Sequence, residues 1–196
     1  MTLFDRHNSV LLLIDYQDKM IEGVKDAATN SKLKYTEAVL KAAVIMKIPI
    51  VITTIDEHIN GSFLKALAMH LPGHRAIERA IPAFNALEDP TVYAALKKHV
   101  DRGRTNIIIA GLWTSMCMGF TALALKQRGL GVFGLMDCCG DGTLIAHKFG
   151  IKRMLQVGVE PLTWMPVVSA WMHDWQDPSV DAVSKDVFGW ISSMGL

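Results

Sequence analysis

Three side chains suited to acyl-transfer chemistry sit where apolar runs end. The first is Cys117, which closes the run Ile107-Ile108-Ile109-Ala110-Gly111-Leu112-Trp113-Thr114-Ser115-Met116-Cys117. An apolar strand ends at glycine, a tight turn follows, and a helix starts with the thiol in its first turns. Unpaired N–H groups and the positive end of the helix dipole lower a thiol's pKa there, and the thiolate is the nucleophile. Equally, free cysteines are commonly small buried apolar residues. The second is Asp15, directly after Val10-Leu11-Leu12-Leu13-Ile14. The third is Arg79, after Ala76-Ile77-Glu78. Asp137, followed by Cys138 and Cys139, ends a further run. If all these runs end on one rim, a thiol can attack, a carboxylate can move protons and a fixed cation can hold negative charge. Each also has a plainer role. Asp15 can cap a turn, Arg79 can pair with Glu78, and Asp137 can order the loop 138–142.

The elements that must bring them together follow from periodicity. Strands are expected at residues 10–14, 50–53, 76–79, 106–110, 132–136 and 161–165. Helices are expected at 31–47, 63–70, 91–100, 117–128 and 144–157. Thr29 or Ser31 is available to cap the first helix, Pro90 opens the third, and Gly129 and Gly158 stop the last two. Continuous apolar strands separated by helices mean a parallel sheet covered on both faces. The expected fold is α/β: a doubly wound three-layer α/β/α sandwich with a mostly parallel six-stranded sheet. In such sheets ligands bind beyond the carboxyl ends of the strands. No linker or repeat divides the chain, so residues 1–196 read as one domain. Its helical tail runs from about residue 176, with Val180, Val183, Val187 and Ile191 at near-helical spacing. That tail packs on its own core or on a neighbouring subunit.

Composition narrows the partners. The chain has 196 residues, 51% hydrophobic and 20% charged, with a net charge of +1. That balance fits a globular domain and gives no electrostatic footprint for nucleic acid or an anionic membrane. Residues 1–8 are polar, and no apolar run reaches the length of a spanning helix. Three cysteines, two of them adjacent, make no disulfide framework. A reducing, cytoplasmic compartment is expected. Five tryptophans and eleven methionines suit a deep core, a subunit interface or both. The apolar stretch 164–175 and the tail point to a homo-oligomer.

The segments Leu11-Leu12-Leu13-Ile14-Asp15-Tyr16-Gln17 and 107–117 resemble the two signatures of the isochorismatase-like cysteine hydrolases, and within them the YcaC-type subgroup. Arg79 with Ala83-Phe84-Asn85-Ala86, the Asp137 segment, Arg153-Met154 and Val157-Gly158 resemble it too, so the match runs over residues 5–175. The resemblance implies a Rossmann-like fold and a triad of Cys117 as nucleophile, Asp15 as general base and a basic residue from the third strand. Many relatives have lysine at that place; this chain has Arg79, which stays charged and cannot exchange a proton. A cis peptide at Leu112–Trp113 is implied, with backbone N–H groups of 113–117 holding an oxyanion. Leu112, Trp113, Thr114, Met116, Phe84 and Gln17 are the oxyanion and pocket candidates, with Ile21 and Trp164 nearby. Ring-shaped oligomers are common among relatives.

The nicotinamidase branch of that family binds a metal. Here Asp56 and His58 fit only superficially, and His70 and His74 lie far downstream, so neither a metal nor another cofactor is expected. The expected partner is a small amide-like or related carbonyl substrate, with no nucleic acid and no membrane. The alternative is a non-catalytic oligomeric binding protein that keeps the pocket. A redox or nucleotide domain is disfavoured, because no Gly-rich phosphate loop follows any strand.

Overall fold

The computed structural model describes residues 4–26, 29–71 and 73–189. Its strands are β1 (Ser9–Ile14), β2 (Ile50–Ile55), β3 (Ile77–Arg79), β4 (Asn106–Gly111), β5 (Gly131–Leu135) and β6 (Glu160–Leu162). The helices are α1 (Asp18–Glu22), α2 (Thr29–Ile45), α3 (Glu57–Asn60), α4 (Lys65–Ala68), α5 (Pro90–Val100), α6 (Gly119–Gln127), α7 (Leu144–Gln156), α8 (Trp164–Met172) and α9 (Val180–Val183). Every residue of β1 and β4 is buried, as strands covered on both faces must be. The sheet order is β3-β2-β1-β4-β5-β6, and all five pairings are parallel. Helices lie on both sides. α2, α8 and α9 pack together, while α6 packs against α7. The expected doubly wound sandwich is the observed fold.

Differences lie where short apolar runs are ambiguous. The expected sixth strand at 161–165 ends at Leu162, and Trp164 and Met165 open α8 instead. Asp137 explains the switch: its carboxylate accepts the Trp164 N–H at 3.1 Å and so caps that helix from another strand's end. It does not primarily order the loop that follows it. The expected helix at 63–70 shrinks to α4. The helix expected from Cys117 starts earlier, as a π-helical turn over Thr114–Met118 that runs into α6.

The Trp-rich stretch faces mostly inward, with Met165 and Trp175, 43% and 76% exposed, as its outward large apolar residues. Trp164 stacks on Tyr35 at 6.1 Å and meets Phe188 at 5.7 Å, and Trp171 is fully buried. Val183 and Val187 of the tail are buried as well. The tail therefore covers α2 and α8 of its own subunit; Ile191 lies outside the described residues.

Candidate active site

The sheet winds away in opposite directions from β1 and β4, so the crevice beyond their carboxyl ends is the topological switch point. Asp15 turns out of β1 with φ 54°, a left-handed conformation. Its N–H still bonds to the Thr53 carbonyl at 3.0 Å. Its Oδ1 accepts the Thr53 hydroxyl at 2.9 Å, and its Oδ2 pairs with Arg79 Nη2. Arg79 ends β3 beside Ile55 of β2. Its Nη1 donates to the Ala83 carbonyl, and its Nη2 lies 3.9 Å from Cys117 Sγ. The Cys117 thiol donates to the Asp15 carboxylate. The paired side chains of Asp15 and Arg79 are both 0% exposed, and Cys117 is 3% exposed. Three residues separated by 64 and 38 positions in sequence thus form one buried cluster.

The turn carrying the thiol is tightly held. Gly111 approaches β1 so closely that a Cβ there would sit 2.5 Å from Ile14 Cβ. The Leu112 N–H bonds to the Ile14 carbonyl at 2.9 Å, and the Leu112–Trp113 peptide is cis. Trp113 docks its indole against Gly23 and donates Nε1–H to the Met20 carbonyl at 2.8 Å. The Thr114 N–H bonds to the Gly140 carbonyl at 2.8 Å, the Ser115 N–H to Asp141 Oδ2 at 2.8 Å and the Met116 N–H to the Trp113 carbonyl at 3.0 Å. From the other side α7 presses in at Gly150, where a Cβ would lie 2.9 Å from Ser115 Cα.

The electrostatics reverse the low thiol pKa expected from helix placement. Burial, and then the Asp15 charge, push the Cys117 thiol up to about 12, against the opposing pull of Arg79. Burial also raises the Asp15 carboxyl, although Arg79 and the Thr53 hydroxyl favour its charged form. At rest the proton is on sulfur, hydrogen-bonded to the carboxylate that can take it. Cys138 and Cys139 are fully buried and also pushed upward by burial, Cys139 to about 12. Their neighbours are structural: Cys139 Sγ accepts the Gly111 N–H at 3.4 Å, and Cys138 Sγ contacts Asp137 at 3.6 Å.

Other sequence candidates scatter. Gln17 is fully buried, with its amide used at 2.8 Å by the Ile55 N–H and at 3.0 and 2.6 Å by the Ile55 and Gly61 carbonyls. It fastens the exit of β2 and has no amide group left for a ligand. Phe84 is 52% exposed and stacks on Phe120 at 6.3 Å. Trp164 belongs to the α8 core. Ile21 is half-buried in α1. Asp56 opens α3, and His70 pairs with Glu37 at 3.1 Å. Among the described residues no three His, Cys, Asp or Glu side chains form a group able to hold a metal ion. Sequence reasoning missed Asp89. It caps α5 through the Thr91 N–H at 2.8 Å and also takes the Ala80 N–H at 2.8 Å, which anchors the residue after Arg79. Burial works against its charge, but these backbone donors hold its carboxyl below the usual range. The Asp-Pro pair at 89–90 is the signal that could have found it.

Comparisons with known proteins agree with this fold. The probable hydrolase YcaC of Escherichia coli K12 is 26% identical over 174 residues, 88% of this chain and 82% of the relative. The solved YcaC gene product of Escherichia coli, an octameric hydrolase of unknown specificity, superposes with TM-score 0.88 and 25% identity over 100% of this chain and 97% of that one. YcaC of Pseudomonas aeruginosa, solved with hexane-2,5-diol and covalent acrylamide, shares the fold at TM-score 0.87 with 23% identity over 100% and 98%. Residues 9–165 match the isochorismatase domain, so the chain belongs to the isochorismatase family of hydrolases.

Proposed function

We propose that the chain is a cysteine hydrolase of a small amide-like or related carbonyl compound. The carrying observation is the buried contact of Cys117 Sγ, the Asp15 carboxylate and Arg79. As sulfur attacks the carbonyl carbon, Asp15 takes the thiol proton. The carbonyl π pair moves to oxygen. The N–H groups of Trp113 and Cys117 are the donors offered to that oxyanion, since those of Thr114, Ser115 and Met116 are already engaged. Collapse expels the amine, which takes the proton from Asp15, and leaves a thioester. Water then attacks with Asp15 again as base, releasing the acid and restoring the thiol. Arg79 touches both partners and stays charged throughout, so it orients Asp15 and balances the anion without exchanging a proton.

Covalent acrylamide on a YcaC fold supports a nucleophilic group in this architecture. The three thiols form no disulfide, which suits a cytoplasmic setting. The chain also assembles with copies of itself, as the octameric relative does. The surface that fits this role is not the buried Trp164 and Trp171 part of the Trp-rich stretch. It is the apolar face of Phe84, Phe120, Ile145 and Phe149 beside the nucleophile turn, where Ile145 and Phe149 are 64% and 60% exposed.

The deciding experiment is a hydrolysis screen over small amides, with Cys117→Ala and Asp15→Asn as controls and intact-mass detection of an acyl adduct. Turnover lost in both variants, with the adduct on Cys117, is expected. An amide turned over equally by Cys117→Ala would sink the proposal. Saturable binding with no turnover of any compound would favour the pocket-retaining binding protein.

A further inference from the structure

Behind the nucleophile turn lies a polar cluster that this chemistry leaves unused. His147, in the first turn of α7, has a side chain only 12% exposed. Its Nδ1 is 2.8 Å from Thr114 Oγ1 and 3.4 Å from Asp26 Oδ2. Asp26 Oδ2 also accepts the Asp141 N–H at 3.1 Å and lies 3.4 Å from Lys32 Nζ. Asp141 in turn holds the Ser115 N–H at 2.8 Å, and Lys32 donates to the Cys139 carbonyl at 2.9 Å.

Resting on the reading of Cys117 as nucleophile, we propose that His147 is a positioning residue that fixes the Thr114–Ser115 segment and so the aim of the thiol. Besides the Gly140 carbonyl, which takes the Thr114 N–H at 2.8 Å and its hydroxyl at 3.1 Å, two side-chain anchors hold that segment: the imidazole on the Thr114 hydroxyl, and Asp141 on the Ser115 N–H. Both converge on Asp26. The groups facing the ring are Asp26 from the loop before α2, Lys32 from α2, Asp141 from the loop before α7 and Thr114 from the turn. With neutral His147 this set holds two carboxylates and one ammonium. Protonation adds a second cation, for which the Asp26 carboxylate competes with the uncharged Thr114 hydroxyl. A charged acceptor makes the stronger bond, so acid draws Nδ1 from Thr114 to Asp26 and frees one side of the turn. Burial and Lys32 hold His147 below the ordinary imidazole range, so this happens on the acid side of neutrality.

The test is the rate of iodoacetamide addition to Cys117, read site by site by mass spectrometry from pH 5 to 8.5. His147→Leu removes the bond to Thr114. His147→Asn places an uncharged amide near the Nδ1 position. At pH 8, His147→Leu should slow Cys117 on the order of fivefold, the factor one lost hydrogen bond makes, with His147→Asn within about twofold of wild type. Toward pH 5 wild type should slow relative to His147→Asn by a similar factor, because only wild type carries the titrating ring. A pH-independent ratio of the two overturns the inference, as does His147→Leu labelling at the wild-type rate. If His147→Leu fails to fold, the His147→Asn ratio decides alone. Failure of wild-type Cys117 to label at all would overturn the nucleophile reading and this inference together. Normal labelling with a flat ratio removes only the role of His147.

Discussion

Replacing Arg79 with methionine should destabilise the protein in a way that depends on pH. Arg79 and Asp15 form an ion pair in which both side chains are 0% exposed, so solvent screening gives no discount. Arg79→Met keeps the volume and leaves the carboxylate with only the Thr53 hydroxyl and the Cys117 thiol. Removing one partner of a buried pair typically costs about 3–5 kcal/mol. The carboxyl can limit that cost by taking a proton. Burial already raises Asp15 above 3.8, and Arg79 is the largest influence in the opposite direction. Without it the folded-state pKa climbs further, while the unfolded-state value stays put. A folded-state pKa above the unfolded one gives stability that is complete at low pH and lost as pH rises through the folded value. The variant therefore loses about 1.4 kcal/mol per pH unit across the added window, and a 3 kcal/mol cost corresponds to about two units. Urea unfolding at fixed protein concentration, at pH 5.5 and pH 8.5, measures this. The Arg79→Met cost should be smaller at the lower pH and about 3 kcal/mol once the pH is above the folded-state value of the variant. Arg79→Lys, which keeps the charge, should recover most of it. Equal costs at the two pH values would show that Asp15 and Arg79 are not electrostatically coupled in the fold.

Four other outcomes follow from the same geometry. Alkylation of Cys117 should rise about tenfold per pH unit from 7 to 9 with no plateau, because burial and Asp15 put its thiol near 12; a plateau below pH 8.5 would refute that. Cys138 and Cys139, fully buried, should label only as the protein unfolds in urea. Gly150→Ala should cost about 1–3 kcal/mol by overpacking and slow Cys117 labelling, since its methyl would meet Ser115 Cα at 2.9 Å; circular dichroism melts and labelling rates check it, and wild-type behaviour in both would count against the close approach. Phe149→Asp should turn an assembly seen by light scattering into a 21.6 kDa particle, and an unchanged mass would remove the α7 face as the contact.

What the sequence made legible was local. Leu11 to Ile14 and Ile107 to Ala110 read as strands because burial on both faces leaves no polar position in them. Asp15 and Cys117 were placed by following those strands to their ends. Arg79 came into view through a strand of only three residues. What could not be read depended on neighbours distant in the chain. Trp164 and Met165 fit a strand or a helix equally by periodicity; the Asp137 carboxylate, 27 residues earlier, decides for the helix. The count of tryptophans could not say that Trp171 is core while Phe149 faces out. The thiol pKa failed for the same reason. A helix start favours the thiolate, but burial and Asp15, both supplied by the tertiary fold, act in the opposite direction and win.

That reversal is compatible with catalysis because the relevant quantity is a difference. Thiol with carboxylate, and thiolate with carboxylic acid, each place one anion beside the Arg79 guanidinium, which contacts both Asp15 and Cys117. Moving the proton between them leaves the net charge of the buried cluster unchanged, so the cost of desolvating a charge is not added at the moment of attack. A thiol near 12 measures proton loss to bulk water, which would leave a second anion beside the Asp15 carboxylate. Proton transfer within the pair follows the coupled titration of both groups instead. A permanently charged guanidinium suits that arrangement, since it cannot neutralise itself by giving its proton to either partner.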